Sequence, residues 1–211
     1  MKRIIRLGTF ILIPFLLLVS LLLPATVIAA PDAISLIGGG WDHTEITVKV
    51  NYNNSIPQDV INGVFEAIDD WNEAINSLGQ SLSDFDLVVV DKGKADITIT
   101  LRRGTAGVTG VIGQTITNVS RNGSIQNARM VISLAAFGGG FSPTFVGNVV
   151  RHELGHALGL GHSDALGDLM YPYLGSSDKV NISSLDINAF AYVHEWYPGN
   201  FYPPALAEYS E

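Results

Sequence analysis

Apolar and polar residues alternate along several short stretches of the chain, which is the pattern of a β-strand with one buried face. Between Thr44 and Tyr52, every second residue from Ile46 onward is apolar. The segment Val108–Thr115 is compatible with an edge strand and equally with a loose hairpin. Alternation or a short apolar run predicts three further strands, over Phe85–Val90, Ala95–Leu101 and Ala128–Ala136.

Apolar residues recur at helical spacing from about Gln58 to Leu78, which predicts a long amphipathic helix. Ser142, followed directly by proline, is a start signal for a second helix. The sequence Ser183–Asp186 forms a capping box that opens a third helix, which Pro198 ends. Because a long helix separates the first two strands, we expect a right-handed crossover between parallel neighbours.

The N-terminal residues resemble an export signal. Three basic residues precede the apolar run Leu7–Leu23, and Val27–Ala29 supplies the small residues that a signal peptidase needs. We predict cleavage after Ala29, so that residues 1–29 are a signal peptide, followed by a glycine-rich linker over residues 30–40. An uncleaved anchor is the competing interpretation, because the run approaches the length that spans a bilayer. Either interpretation places the rest of the chain outside the cytoplasm.

Composition narrows the classes of partner. The 211-residue chain has a formal net charge of −8. Without its three basic leader residues (Lys2, Arg3 and Arg6) that charge changes from −8 to −11. Such an acidic chain is poorly suited to bind nucleic acid or an anionic membrane. It contains no cysteine, so neither disulfides nor thiolate metal sites are available.

The densest metal-binding chemistry lies in residues 152–162, which hold three of the five histidines. His152 and His156 are four residues apart, so a helix places both imidazoles on one face, one turn apart. Glu153, next to the first of them, is positioned to reach a metal-bound water rather than the metal. A pair of histidines alone also arises by chance on the polar face of a helix, so this pair does not establish a metal site by itself.

A third histidine makes the pattern more specific. Gly159 allows the helix to stop, because glycine tolerates a left-handed cap. Gly161 is expected to let the backbone turn sharply, which returns His162 as a third ligand. Three neutral nitrogens and one open position are the layout of a catalytic zinc site. The remaining histidines, His43 and His194, are not expected to be ligands, and His194 is expected at a surface or a helix end.

These residues carry a family resemblance. The stretch His152–His162 reads H-E-x-x-H-x-x-G-x-x-H, which resembles the signature of the metzincin metallopeptidases. Asp168–Pro172 is similar to the Met-turn of that family, with Met170 as its methionine. Ser163 after the third histidine, and Leu-Met-Tyr-Pro at the turn, resemble the matrixin branch, the matrix-metalloproteinase-like enzymes.

The order of the elements extends the resemblance over residues 41–196, from Trp41 through the helix with Trp71 and the sequence Lys94–Ile97. It implies the α+β zincin fold of metzincins: a twisted, mixed five-stranded sheet with two long helices, an active-site cleft, and a small C-terminal lobe with one helix. On this basis residues 41–198 form a matrixin-like catalytic domain and residues 199–211 a C-terminal tail.

The resemblance also implies roles for individual residues. Zinc would be bound by the three histidines of the motif, Glu153 would be the general base, and Met170 would form a hydrophobic floor without ligating the metal. In matrixins, one segment at the rim of the cleft pairs with extended substrate, and the residues after the Met-turn form the wall of a substrate pocket. The corresponding substrate-binding positions here are Val111, Ile112, Gly113, Pro172 and Tyr173.

Four features depart from the family pattern. No histidine lies between His43 and His152, and Gln114 stands where a ligand of the family's second, structural zinc is expected, so only one zinc is predicted. Acidic calcium loops have no clear counterpart, which leaves calcium open. Tyr173 follows Pro172 directly and Leu174 takes the usual tyrosine position, so the pocket shape is expected to differ. Without cysteine, we expect no cysteine switch.

The sequence therefore predicts a secreted, monomeric, zinc-dependent endopeptidase that hydrolyses peptide bonds through a metal-activated water, with Glu153 as general base and a peptide or protein as its partner. A cell-surface location follows if the N-terminal segment is retained. The competing function is a secreted or surface-associated zinc-containing binding protein without general proteolytic activity. The intact Glu153 argues against that alternative, because a structural site needs no base.

Overall fold

The structure is a computed structural model, and its described part belongs to one compact unit, Asp32–Glu211. The predicted signal peptide, part of the predicted linker and the C-terminal tail lie outside the described residues, so these boundaries stay predictions. So does the end of the last helix at Pro198. The described residues are 34–37, 39–79, 82, 84–105, 111–136, 139–175 and 178–194.

One long helix interrupts the strands in the first part of the described chain, and two helices follow further along. Within the described residues the elements are β1 (Ile34–Leu36), β2 (Glu45–Asn51), α1 (Gln58–Asn76), β3 (Asp86–Val89), β4 (Ile97–Thr105), β5 (Gly113–Val119), β6 (Ile125–Ala136), β7 (Gly139–Gly140), α2 (Pro143–Ala157), β8 (Leu160–Ser163) and α3 (Ser184–His194).

The main sheet has the strand order β3-β2-β4-β6-β5, and the two-residue strand β7 adds to β6. Strand β2 runs parallel to β3 and β4, and β4 runs parallel to β6, whereas β5 and β7 are antiparallel to β6. The mixed α+β sheet with five main strands is therefore confirmed. The edge-strand interpretation of Val108–Thr115 holds for its last residues, because β5 begins at Gly113 and terminates one side of the sheet.

Two tryptophans fix the helix that carries the motif. Trp71 on α1 is fully buried and its Nε1 donates to the carbonyl oxygen of Arg151, 2.9 Å away. Trp41, also fully buried, donates from Nε1 to the carbonyl oxygen of Ala157 at 3.1 Å. The two indoles thus hold α2 directly before His152 and directly after His156.

The ends of α2 follow their sequence signals. Ser142 Oγ accepts a hydrogen bond from Phe145 N at 3.2 Å, and a proline occupies the first turn. After the cap at Leu158, Gly159 takes a φ of +96°, which is the left-handed conformation that glycine tolerates best. The predicted stop of the helix at Gly159 is thus confirmed.

The capping box of α3 is reciprocal. Ser183 N donates to Asp186 Oδ2 at 2.7 Å, and Asp186 N donates to Ser183 Oγ at 3.1 Å. Helix α3 packs against β1 and β8 and forms the predicted small C-terminal lobe. None of the helices in the described part of the chain combines the length and apolarity that crossing a membrane requires.

A second, two-stranded sheet was not predicted. Strand β1 pairs antiparallel with β8, which contains His162. The expectation that Gly161 provides a sharp turn is wrong, because Gly161 lies within extended β8. Glycine is required at position 161 for a different reason, because a side chain there would collide with Ser35. Ser35 Oγ donates to the carbonyl oxygen of His162 at 3.1 Å. Gly161 therefore permits a close approach of β1.

Candidate metal centre

Three imidazoles converge at the junction of α2 and β8. His152 and His156 project from successive turns of α2, and His162 comes from β8. Their ring centroids are 4.7 to 5.5 Å apart. One nitrogen from each ring can be chosen so that all three lie within 4.8 Å of one another. The structure thus brings together the three histidines that the sequence selected.

Backbone carbonyls set the tautomers of the two helical histidines. Nδ1 of His152 lies 2.7 Å from the carbonyl oxygen of Leu169, and Nδ1 of His156 lies 2.8 Å from that of Leu160. A carbonyl oxygen only accepts, so each Nδ1 carries the proton. Each Nε2 is then left with its lone pair, which is the state that a metal ligand needs.

Burial keeps these imidazoles neutral. It lowers the pKa of His156 to about 4, with the neighbouring His152 adding to the effect and the Leu160 carbonyl opposing it. Burial also lowers the pKa of His152 and of His162. Neutral imidazole is the form that binds a metal. The protein therefore does not need to remove protons from these rings near neutral pH.

The donor set fits zinc. Three imidazole nitrogens suit a borderline-soft divalent ion, and a tetrahedral site with three protein ligands keeps one position open. Within the described residues no fourth histidine, aspartate or glutamate joins the group. His43 and His194 lie elsewhere: His43 is hydrogen-bonded to Asp42, and His194, at the end of α3, is buried rather than on the surface.

Glu153 lies beside the three histidines, at the cleft. Burial raises the pKa of its carboxyl to about 7, and a hydrogen bond from Thr115 opposes that rise. Thr115 Oγ1 lies 2.5 Å from Glu153 Oε2. Near neutral pH such a carboxyl can both accept and release a proton, which is the property required of a general base.

Met170 lies in a tight turn beneath the site and is fully buried. Its N–H donates to Asp168 Oδ1 at 3.0 Å, and its carbonyl oxygen accepts from Ser163 N at 2.8 Å. A side chain at Gly155, on the facing turn of α2, would collide with the Met170 sulfur. The turn is therefore packed directly against the helix that carries His152 and His156.

A cleft of about 500 Å³ opens above the three histidines and Glu153. Tyr173 is 81% exposed and Val111 is 51% exposed, so both present apolar surface to an incoming ligand. Gln114 also lies on this wall. The cleft contains all the predicted substrate positions, namely Val111, Ile112, Gly113, Pro172 and Tyr173.

Five residues of the cleft were not among the predicted site residues: Gln114, Thr115, Phe145, Val149 and Leu174. A signal for Thr115 was present, because side chains two apart on a strand share a face. Once Gly113 is assigned to the cleft, Thr115 follows. Phe145 and Val149 carry only the apolar spacing of α2, which does not distinguish a cleft residue from a core residue.

Two family models match the chain. The model of the metallo-peptidase family M12B, reprolysin-like, matches residues 44–163, which is more than half of the chain. The matrixin model matches residues 141–195 and includes α2, all three histidines and Met170. The first match spans the main sheet and the motif, and the second spans the motif and α3.

Curated relatives agree with the matrixin model. The chain is 27% identical to interstitial collagenase of Equus caballus and 28% identical to that of Oryctolagus cuniculus, in each case over 160 residues. These matches cover 73% of this chain but only 32% of each collagenase. The chain therefore spans about a third of the length of these relatives. Since a metallopeptidase model covers most of the described fold, and the matrixin model covers the site, the chain belongs to the metzincin zinc metallopeptidases and contains a matrixin-like catalytic domain.

Proposed function

We propose that this chain is a secreted zinc endopeptidase, in which His152, His156 and His162 bind the metal and Glu153 is the general base. One observation supports the proposal above all. Three neutral imidazoles with free Nε2 atoms and one carboxyl of raised pKa meet at the floor of a single cleft. A structural zinc site has no use for a carboxyl in this place.

The metal and the carboxyl have separate tasks. A zinc ion held by the three imidazoles supplies Lewis-acid chemistry: it lowers the pKa of a water molecule to about 7 and polarises a carbonyl group. Glu153 takes the proton of the attacking water and later delivers it to the leaving amine. A carboxyl with a pKa of about 7 suits both transfers, because neither direction is strongly uphill at neutral pH.

An extended peptide suits the shape of the cleft. Strand β5 ends the main sheet on the cleft side, and Gly113 at its beginning lies in the wall of the cleft. A substrate backbone added along that edge gains main-chain hydrogen bonds, which supply affinity without demanding one sequence. On the opposite wall, Pro172 and Tyr173 offer apolar surface to the side chain of one substrate residue.

Chelator-sensitive cleavage tests this function. The purified protein is incubated with fluorescently labelled casein, with and without 1,10-phenanthroline, and zinc is then added back. We expect cleavage that the chelator abolishes and zinc restores. Protein that binds zinc but shows no such cleavage would establish the zinc-containing binding protein instead.

The variant Glu153→Gln tests the base. It should keep its zinc and lose about 10²- to 10⁴-fold in kcat, the range that general acid–base groups contribute. Glu73→Gln is the matched control, because Glu73 is exposed on α1 and lies outside the cleft. Full activity in Glu153→Gln would refute the assignment.

A further inference from the structure

Thr115 contacts the predicted base through its hydroxyl group. Oγ1 lies 2.5 Å from Glu153 Oε2 and 3.1 Å from the Glu153 carbonyl oxygen. A hydroxyl has one proton to donate, and the shorter distance to a charged acceptor decides its direction. The proton therefore points to Oε2, and this oxygen is occupied when the site is at rest.

Gly113 makes room for the other carboxyl oxygen. A side chain at position 113 would collide with Glu153 Oε1, so only glycine leaves room for this rotamer of Glu153. Gly113 and Thr115 are two residues apart on β5 and share its cleft face. Together they favour one position of the carboxyl: Thr115 holds Oε2, and the missing side chain at Gly113 leaves space for Oε1.

Packing does not account for the hydroxyl at position 115. Thr115 is half-buried at the wall of the cleft and does not belong to the hydrophobic core. Valine has the same branched shape and an equal preference for strands, so it would satisfy the fold as well. What threonine adds at this position is an O–H donor directed at a buried carboxyl.

We propose that Thr115 is a positioning residue for Glu153: its hydroxyl holds Oε2, leaves Oε1 to take the proton, and keeps the base in register with a peptide along β5. The inference deepens the proposed endopeptidase function and rests on it. The register arises because one strand serves twice. The backbone edge of β5 binds the substrate, and the side chain at position 115 orients the base. The same strand therefore sets the positions of both the base and the scissile bond.

The test compares Thr115→Val with Thr115→Ser in hydrolysis of a fluorogenic peptide. Thr115→Val should lower kcat about 10- to 100-fold, the effect of one hydrogen bond to a charged group, with KM and zinc content close to those of the unchanged protein. Thr115→Ser should restore kcat, because serine keeps the donor. Thr117→Val is the matched control, since Thr117 lies on the same strand outside the cleft.

Three outcomes would overturn the inference. Unchanged kcat in Thr115→Val shows that the hydroxyl is not needed. Equal losses in the valine and serine variants show that shape, not the donor, matters. A rise in KM with unchanged kcat assigns Thr115 to substrate binding instead. In each case an active parent protein and an inactive Glu153→Gln leave the proposed function standing, so the two failures are distinguishable.

A second measurement needs no activity. Denaturation midpoints are measured for Thr115→Val, Glu153→Ala and the double variant, which together form a double-mutant cycle. If the hydroxyl holds the carboxyl, the two substitutions are non-additive, and Thr115→Val costs less stability once Glu153 is gone. Additive effects would overturn the inference even for a protein that cleaves nothing.

Discussion

Nδ1 of His152 lies 2.7 Å from the carbonyl oxygen of Leu169, the residue that precedes Met170 in the turn. This contact joins a metal-binding side chain to the turn beneath it, 17 residues further along the chain. It fixes the proton on Nδ1 and presents Nε2 to the centre of the site. The turn thereby orients the imidazole of His152.

Removing one of these imidazoles should remove the metal. His152→Ala leaves two nitrogen donors where three are predicted, so we expect loss of bound zinc and of proteolysis. Zinc per chain after dialysis against metal-free buffer is the measurement, with circular dichroism to verify the fold. His43→Ala is the control and should keep its zinc, because His43 is half-buried and bonded to Asp42 outside the site. Stoichiometric zinc in His152→Ala would show that the ligand set is wrong.

His194 should make stability depend on pH. Its Nδ1 donates to the Phe190 carbonyl oxygen at 2.9 Å, and its Nε2 accepts from Trp41 N at 3.3 Å, so the buried ring is held neutral. Burial lowers its pKa to about 4, against the 6.5 of an unfolded chain. Between these values the unfolded chain binds more protons, so the free energy of unfolding falls as pH falls, by about 3 kcal/mol in all and about 2 kcal/mol by pH 5.

Urea unfolding at pH 7.5 and pH 5 measures this effect. The variant His194→Phe loses the acceptor for Trp41 N and should be less stable at pH 7.5. Its stability should nevertheless decline less between the two pH values than that of the unchanged protein, because this histidine no longer takes up a proton on unfolding. The other titrating groups are common to both proteins and cancel in the comparison. Equal declines would contradict the prediction.

Arg151, directly before His152, carries a buried charge. Its side chain is 3% exposed and forms an ion pair with Asp70 on α1, with Glu66 3.4 Å away. Lys179 pairs with the same two carboxylates but is 40% exposed. Removal of one partner from a buried pair costs about 3–5 kcal/mol, whereas an exposed pair contributes about 0–1 kcal/mol.

Asp70→Ala should therefore destabilise the protein by about 3 kcal/mol or more, because among the described residues the Arg151 guanidinium then keeps a 3.4 Å contact with Glu66 and a hydrogen bond to Asn148. Lys179→Ala is the comparison and should lower the free energy of unfolding by about 1 kcal/mol at most. Chemical denaturation of the two variants decides the matter. Similar losses of unfolding free energy in the two variants would mean that burial of Arg151 does not make its ion pair with Asp70 stronger than the exposed pair of Lys179.

Local patterns predicted the sheet, the three helices and the motif, because each depends on residues close in sequence. Alternation placed Ile46 and Val48 on one buried face, and the capping signals at Ser142 and Ser183 placed two helix starts. The histidine spacing of residues 152–162 also needed no knowledge of the fold. These features could be predicted since helix and strand periodicity act over a few residues.

Contacts between distant residues could not be predicted in this way. Strand β1 is only three residues long, so its apolar-polar-apolar pattern is too short to predict a strand, and nothing local indicated that it pairs with the strand of His162. The predicted turn at Gly161 was wrong for the same reason. Glycine is needed there because Ser35 of β1 packs closely against it, and β1 is distant in sequence. The partners of Arg151 on α1 lie about 80 residues away and depend on how two helices pack.

The Met170 sulfur lies so close to position 155 that it limits which residues can occupy that position. Any side chain at position 155 competes with Met170 for the same space. The Cβ atom of such a side chain would also lie 3.4 Å from Trp71 Cζ2. In a library that varies position 155 alone, glycine is the residue expected to survive selection for folding. Alanine becomes acceptable only when position 170 is shortened at the same time, so the two positions form a single unit of variation.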